Sequence, residues 1–222
     1  MIMHNFEYVP KEEWKPIKDE LLEIIHRLQN EVRDSFTFQY HFVGSSRRNM
    51  ITRERNSNTG FDFDVNIEVN DPDEDYSAKE IRNILRKGLD RVTNPYGGSI
   101  SGYDYTEDST RVLTIKVKDR ANSRILHSCD FFIVYECSDG RQQYIRYNKK
   151  QNSYSWEYQP KGYMELQSKM GWIKEHGLWQ QVRDTYIYKK NINTDDNKKS
   201  RSIFAETIHQ ICQQNGYYQQ AK

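Results

Sequence analysis

Two aspartates, Asp62 and Asp64, lie two positions apart in the stretch FDFDVNIEV, residues 61–69. Apolar and polar residues alternate through this stretch, and that period is typical of a β-strand. Side chains two positions apart point to the same face of a strand, with Cα atoms about 7 Å apart. Both carboxylates could therefore bind one cation. A strand face in contact with solvent is the alternative explanation of the pattern.

A third acid, Asp130, lies in HSCDFFIVYE, residues 127–136. The apolar run over residues 131–134 predicts a strand that is buried on both faces. An ionised carboxylate in such a strand is costly unless a cation or several hydrogen-bond donors compensate it, so a bound metal ion would explain Asp130. His127 is expected on the opposite face of this strand, as a packing residue.

A glycine and two serines follow another predicted strand. FTFQYHFVG, residues 36–44, alternates aromatic and polar residues and ends at Gly44, with Ser45 and Ser46 behind it. The polar, basic stretch from there to Gly60 is expected to be a loop with a short helix at its start. The first backbone N–H groups of such a helix would be available to bind phosphate.

Helices are predicted where apolar residues recur every three or four positions. One covers residues 11–34. A second begins with the capping-box sequence at Ser77, and this helix ends at NPYGG, residues 94–98. Three more are expected after residue 162, each marked by the same spacing.

The remaining strands and the order of the elements predict the fold class. Three β-rich stretches follow the second helix and cover residues 110–118, 124–136, which includes Asp130, and 141–147. The two strands that flank the loop are expected to pair while helices cover one face of the sheet, which gives an α+β fold. We expect a mixed-sheet core over residues 1–160, with a short helical subdomain over residues 161–222 that packs on it.

Composition narrows the class of protein. The 222 residues carry a net charge of +1, which gives no strong sign of duplex nucleic-acid binding, and the three cysteines lack the CxxC spacing of a zinc site. The N-terminal sequence lacks the pattern of a targeting signal, and the longest clearly apolar run, FFIVY, is too short to cross a bilayer. We therefore expect a soluble cytoplasmic protein with no membrane partner.

Taken together, the three motifs resemble those of a known superfamily. A strand that ends in Gly-Ser, an Asp-x-Asp strand at Asp62 and Asp64, and a third acid, Asp130, on a later strand resemble the polymerase β-type nucleotidyltransferases. The long gap between Ser45 and Asp62 and the leading helix are most similar to the oligoadenylate synthase and cyclic-dinucleotide synthase branch. The resemblance runs from residue 11 to about residue 160.

This resemblance implies a catalytic site with two Mg²⁺ ions, for which Mn²⁺ is the alternative. Asp62 and Asp64 would ligate the two ions, and Asp130 would hold the ion beside the attacking hydroxyl and help to polarise that hydroxyl. Mg²⁺ prefers carboxylate oxygens, and two such ions supply the charge stabilisation that nucleotidyl transfer needs.

The resemblance also implies residues that bind a nucleoside triphosphate. Gly44 would let the backbone approach the triphosphate, Ser45 would bond its phosphates, and backbone N–H groups near Ser46 would add further donors. Lys169, on the first helix of the C-terminal part, is a candidate contact to the triphosphate. A solvated surface lysine is the alternative interpretation of Lys169.

The predicted function is Mg²⁺-dependent transfer of a nucleoside monophosphate from a nucleoside triphosphate to a hydroxyl acceptor, with release of pyrophosphate. The acceptor is left open among a nucleotide, RNA and a protein hydroxyl, because the tail is shorter than the helical domain of most synthases of this branch. A non-catalytic nucleotide-binding or antitoxin-like regulatory module on the same fold is the alternative. An RNA-binding domain that uses the tyrosines and the basic loop is less favoured by the near-neutral net charge.

Overall fold

The computed structural model describes residues 4–71, 73–93, 100, 102–159 and 163–217. In chain order the elements are β1 (Phe6–Tyr8), α1 (Lys11–Val32), β2 (Thr37–Val43), α2 (Gly44–Arg47), β3 (Thr52–Glu54), β4 (Phe61–Asn70), α3 (Ala78–Thr93), β5 (Glu107–Asp108), β6 (Val112–Asp119), β7 (Arg124–Glu136), β8 (Gln142–Asn148), β9 (Ser153–Tyr158), α4 (Tyr163–Glu175), α5 (Trp179–Ile192) and α6 (Ser200–Gln214). The chain groups into two units, one formed by Val9–Gln159 and the other by Met1–Tyr8 together with Pro160–Lys222. The predicted division at residue 160 had placed the first eight residues with the core.

A mixed sheet forms the centre of the first unit. Its strands lie in the order β2-β4-β7-β6-β5, and β8 and β9 extend it from the end of β7. Strands β4 and β7 are parallel, and the other described pairs of this sheet are antiparallel. The pairing of β2 with β4 confirms that the two strands flanking the predicted loop lie side by side.

The alternation in β4 decides which face of this sheet is buried. Phe63, Val65 and Ile67 are completely buried, whereas the polar residues between them are half-buried. They share one apolar core with residues of α1 and α3, including the completely buried Leu21 and Leu85. The predicted α+β fold with helices on one face of a mixed sheet is confirmed, and the opposite face carries the polar side chains of β4.

Helix α3 begins with the predicted capping box. The N–H and hydroxyl of Ser77 donate to Glu80 Oε2 at 2.9 and 2.5 Å, and the Glu80 N–H donates to Ser77 Oγ at 3.3 Å. Further along α3, Gly88 allows α1 to approach, because a Cβ there would lie 2.7 Å from Leu28 Cδ1. The segment at residues 94–98, predicted to end this helix, lies outside the described residues.

Arg82 is a charged residue of α3 that is completely buried. Its Nε donates to Asp108 Oδ1 at 2.8 Å, and its Nη2 donates to the carbonyl oxygens of Ser109 and Val112 at 2.5 and 3.0 Å. Its Nη1 donates to the carbonyl oxygen of Ile145 at 3.3 Å. One side chain thus connects α3 with the β5–β6 turn and with β8. The sequence did not predict this, because a single arginine in an amphipathic helix is usually exposed.

Three short strands of the first unit were also not predicted. Strand β3 lies inside the stretch expected to be a loop, and β5 contains only two residues. Strand β9, with the sequence SYSWEY, pairs with β8 along its whole length. Its serines and glutamate are typical of a polar loop. A sequence predicts a strand only weakly when it lacks a continuous set of β-branched residues.

The second unit contains β1, α4, α5 and α6, so the three helices predicted after residue 162 are confirmed. Strand β1 lies along α5: the Phe6 N–H donates to Asn191 Oδ1 at 2.6 Å, and the Tyr8 hydroxyl donates to the Arg183 carbonyl at 2.8 Å. Among the helices that the structure describes, none combines the length and the hydrophobicity that a membrane crossing requires.

Candidate active site

Asp62, Asp64 and Asp130 lie on one face of the sheet, opposite the face that α1 and α3 cover. Asp64 on β4 is paired with Asp130 on the parallel strand β7, and Asp62 is paired with Ser128. Paired residues of neighbouring strands point to the same face, and the strands lie about 4.8 Å apart. The fold therefore brings together two acidic motifs that are distant in the sequence.

Thr114 continues this row on the next strand. It is paired with Asp130 from the β6 side, and its hydroxyl donates to Asp130 Oδ1 at 2.5 Å. Thr114 is itself buried. Thr114 is not predictable as a site residue from the sequence, because the alternation in residues 110–118 indicates a strand face but not which strand lies beside it.

The local charges make Asp64 an unusual carboxyl group. Burial, and after it the neighbouring carboxylates of Asp62 and Asp130, raise its pKa to about 7, while Arg48 opposes them. The pKa of Asp130 is also raised, first by burial, and the hydrogen bond from Thr114 works against that increase. The three acids therefore form a cluster of negative charge that a cation would stabilise.

Gly44 lies directly against Asp64. Its φ is +62°, a left-handed conformation that favours glycine, and a Cβ at this position would lie 2.0 Å from Asp64 Oδ2. A side chain at residue 44 would displace the Asp64 carboxylate. The glycine is therefore required by both the backbone turn and the space that the acid occupies.

The two serines after Gly44 have different environments. Ser46 is buried, and its hydroxyl donates to the Val43 carbonyl at 3.0 Å. Ser45 is half-buried, and its carbonyl accepts the N–H groups of Arg48 and Met50 at 3.1 and 2.9 Å. These bonds close the single turn of α2, which corresponds to the short helix expected at the start of the loop.

Lys169 belongs to the second unit. It is buried, its Nζ lies 2.6 Å from Glu165 Oε1, and the His209 Nδ1 lies 3.4 Å from the same Nζ. Lys169 is therefore not the solvated surface lysine of the alternative interpretation. Its predicted contact with a triphosphate stays a prediction.

The aspartates fit a divalent cation in chemistry and in backbone placement. Hard cations such as Mg²⁺ and Mn²⁺ prefer carboxylate oxygens, and Asp62, Asp64 and Asp130 present only such oxygens from one face. Within the described part of the chain, no three Asp, Glu, His or Cys side chains are grouped tightly enough to hold an ion together. Uncompensated carboxylates repel one another, so side-chain rotation would be needed to complete a ligand set.

The opposite face of the same strands is a packing surface. The Tyr103 hydroxyl donates to Glu20 Oε1 at 2.5 Å and lies 3.4 Å from His127 Nε2. Burial lowers the pKa of His127 and raises the pKa of the Cys129 thiol, so neither group is charged at neutral pH. Both residues point away from the aspartates, as the strand alternation predicted for His127.

Neither a protein family nor a curated protein matches this sequence. Several solved structures do resemble the fold. The cyclic AMP-GMP synthase DncV of Vibrio cholerae in complex with nonhydrolyzable GTP has a TM-score of 0.57 and 14% sequence identity, and the match covers 91% of this chain and 52% of that one. The same enzyme bound to 3′-deoxy GTP has a TM-score of 0.56 and 14% identity, covering 86% and 49%. CdnC of E. coli MS115-1 with ATP has a TM-score of 0.50 and 15% identity, covering 94% and 62%.

The chain thus spans about half to three fifths of the length of these structures. At such low identity the likeness establishes the fold and leaves the chemistry to the residues of this chain. The chain shares the fold of these DncV and CdnC structures, which confirms, at the level of the fold, the resemblance predicted from the three motifs.

Proposed function

We propose that this chain is a metal-dependent nucleotidyltransferase that moves a nucleoside monophosphate from a nucleoside triphosphate to a hydroxyl group. The pairing of Asp64 with Asp130, with Asp62 on the same face, carries the proposal. The fold adds support, because the similar DncV and CdnC structures hold a GTP analogue and ATP. In the reaction, a bond forms between the acceptor oxygen and the α-phosphorus, the bond to the β-phosphate oxygen breaks, and pyrophosphate and a proton leave.

Each aspartate has a distinct place in this proposal. Asp62, Asp64 and Asp130 would hold Mg²⁺ or Mn²⁺, which when bound neutralises charge on the triphosphate and lowers the pKa of the attacking hydroxyl. Asp64 is a neighbour of both other acids, since Asp62 lies two positions away on its own strand and Asp130 is paired with it on β7. Asp130 would orient the acceptor hydroxyl.

The turn after β2 would receive the phosphates. Gly44 leaves no side chain between this turn and the acidic cluster. Because the Ser46 hydroxyl already donates to Val43, Ser45 is the serine of this pair whose hydroxyl would bind a phosphate oxygen. Ser46 would contribute by holding the turn in shape.

The proposal is tested by incubating the purified chain with each α-labelled nucleoside triphosphate and Mg²⁺ or Mn²⁺. Pyrophosphate release and labelled products are followed together, with and without nucleotide, RNA and protein acceptors. Asp64→Asn should lower the rate by roughly a hundredfold or more, since it removes the central anionic ligand. Asp139→Asn is the control, because Asp139 is an exposed acid in a turn. Among the described ion pairs it contacts only Arg141, whose Nε lies 2.6 Å from Asp139 Oδ2.

Two results would overturn the proposal. If the chain binds a nucleoside triphosphate in the presence of Mg²⁺ but releases no pyrophosphate with any acceptor, it is the non-catalytic nucleotide-binding module. If Asp64→Asn and Asp139→Asn have equal rates, the acidic face is not the site of transfer.

A further inference from the structure

We infer that Thr114 is a positioning residue for Asp130: its hydroxyl holds one carboxylate oxygen and leaves the other to the acidic cluster. This inference rests on the proposed function, because it assigns Thr114 a role in the same site. It concerns a residue outside the three aspartates and outside the Gly44 turn.

The geometry gives the two oxygens of Asp130 different surroundings. Thr114 approaches from β6, and its Oγ1 lies 2.5 Å from Asp130 Oδ1. Asp64 lies on the opposite side of Asp130, on β4. Because the two oxygens of a carboxylate point in different directions, Oδ2 would be the oxygen of Asp130 available to a cation.

Such an arrangement restricts the carboxylate in a useful way. A short aspartate without a second partner can rotate and can switch between one and two metal-bound oxygens. A hydrogen bond from a buried donor fixes the rotation and leaves one oxygen for the metal, and outer partners of this kind typically change metal affinity or activity by 10–100-fold. The same bond favours the ionised form of Asp130 against the effect of burial.

Burial alone does not explain the contact. Thr106 lies in the same unit and is buried to the same degree as Thr114, with 7% of its surface exposed in each case. Within the described residues, however, the Thr106 hydroxyl has no hydrogen-bond partner. A buried threonine in this unit therefore need not bond a carboxylate, and Thr106 offers a matched control.

The decisive experiment compares Thr114→Ser with Thr114→Ala, which lose the same methyl group and differ only in the hydroxyl. Thr114→Val tests the hydroxyl at nearly constant shape, and Thr106→Val is the control. Each variant is titrated with Mn²⁺ alone, by electron paramagnetic resonance of the free ion, and is then assayed for kcat and KM. Thermal unfolding without metal verifies that each variant is folded, and the serine and alanine pair decides the question if the valine variant does not fold.

We expect Thr114→Ala and Thr114→Val to weaken Mn²⁺ binding and to lower kcat by about 10–100-fold, with Thr114→Ser within about threefold of the parent chain. Thr106→Val should match the parent in Mn²⁺ binding and in kcat. Suppose that the parent transfers nucleotide and that Thr114→Ala has the same Mn²⁺ affinity and the same kcat as Thr114→Ser. The inference is then wrong, and the proposed function stands. If the parent neither binds Mn²⁺ nor transfers nucleotide, the proposed function fails and the inference fails with it.

Discussion

Asp64 and Asp130 face each other across the only parallel strand pair among the described pairs of the sheet, so two half-buried carboxylates share one position in its register. Neither group is placed there by its own strand preference, since aspartate is a poor strand former. Their mutual repulsion and their burial are a cost to the folded protein, and that cost can be measured directly.

Replacing Asp64 by asparagine should stabilise the metal-free protein at pH 8. In the folded state the pKa of Asp64 is raised from 3.8 to about 7, so the folded protein holds this proton more tightly than the unfolded chain. The free energy of unfolding should therefore fall as the pH rises from about 4 to 7, and the full cost applies above pH 7. We expect Asp64→Asn to recover roughly 2–4 kcal/mol at pH 8 and little at pH 4.

Urea unfolding at both pH values in the presence of a chelator measures this effect. Asp139→Asn, at an exposed turn, is the control and should keep the fall in stability between pH 5 and pH 8. Equal stability of Asp64→Asn and the parent at pH 8 would contradict the raised pKa.

Added Mg²⁺ should raise the melting temperature more at pH 8 than at pH 5.5. At pH 5.5 a proton already neutralises much of the Asp64 population, and a cation must displace it before it can bind. Ligand binding stabilises the folded state according to its concentration and affinity, so the difference should grow with Mg²⁺ concentration. Calorimetric scans at both pH values test this, and identical shifts at the two pH values would exclude Asp64 from the binding site.

Gly44→Ala should disrupt the site more than its left-handed backbone alone explains. The substitution introduces backbone strain of about 1–2 kcal/mol, as it would at any glycine with positive φ. At Gly44 the new Cβ would also lie 2.0 Å from Asp64 Oδ2, so the carboxylate must move. We expect a total loss of about 3 kcal/mol or more and a weaker affinity for Mn²⁺.

Gly140→Ala separates the two effects. Gly140 has a φ of +76°, and none of the described atoms lies within 4 Å of a Cβ built there. This variant should lose only the strain energy and should bind Mn²⁺ like the parent. If the two glycine variants have the same stability and the same Mn²⁺ affinity, Gly44 is only a turn residue.

Arg82→Met should be strongly destabilising even though Arg82 has no role in the proposed chemistry. The substitution removes the donors that Arg82 supplies to Asp108 and to three carbonyl oxygens. Removing one partner of a buried ion pair typically costs 3–5 kcal/mol. Urea unfolding should show this loss, whereas Arg141→Met, which removes an exposed partner of Asp139, should change stability by less than about 1 kcal/mol. A small effect at Arg82 would mean that the network contributes little.

Much of this architecture follows from local patterns in the sequence. The alternation in residues 61–69 fixes which side chains of β4 are buried, because successive residues of a strand must point to opposite faces. The spacing in α1 and the capping box at Ser77 define helices by the same kind of local rule. The order of the Gly-Ser turn and the acidic motifs, through its resemblance to a known superfamily, was enough to predict the α+β fold.

Pairing and register were decided only by the tertiary structure. A strand pattern states which face Asp130 occupies but not that Asp64 lies beside it, nor that Thr114 lies on its other side. The buried network of Arg82 is equally invisible in the sequence, since its partners come from two separate segments, residues 108–112 and Ile145 on β8. The physical reason is that neighbours across a sheet are selected by the packing of the whole core, whereas periodicity reports only the environment of one strand at a time.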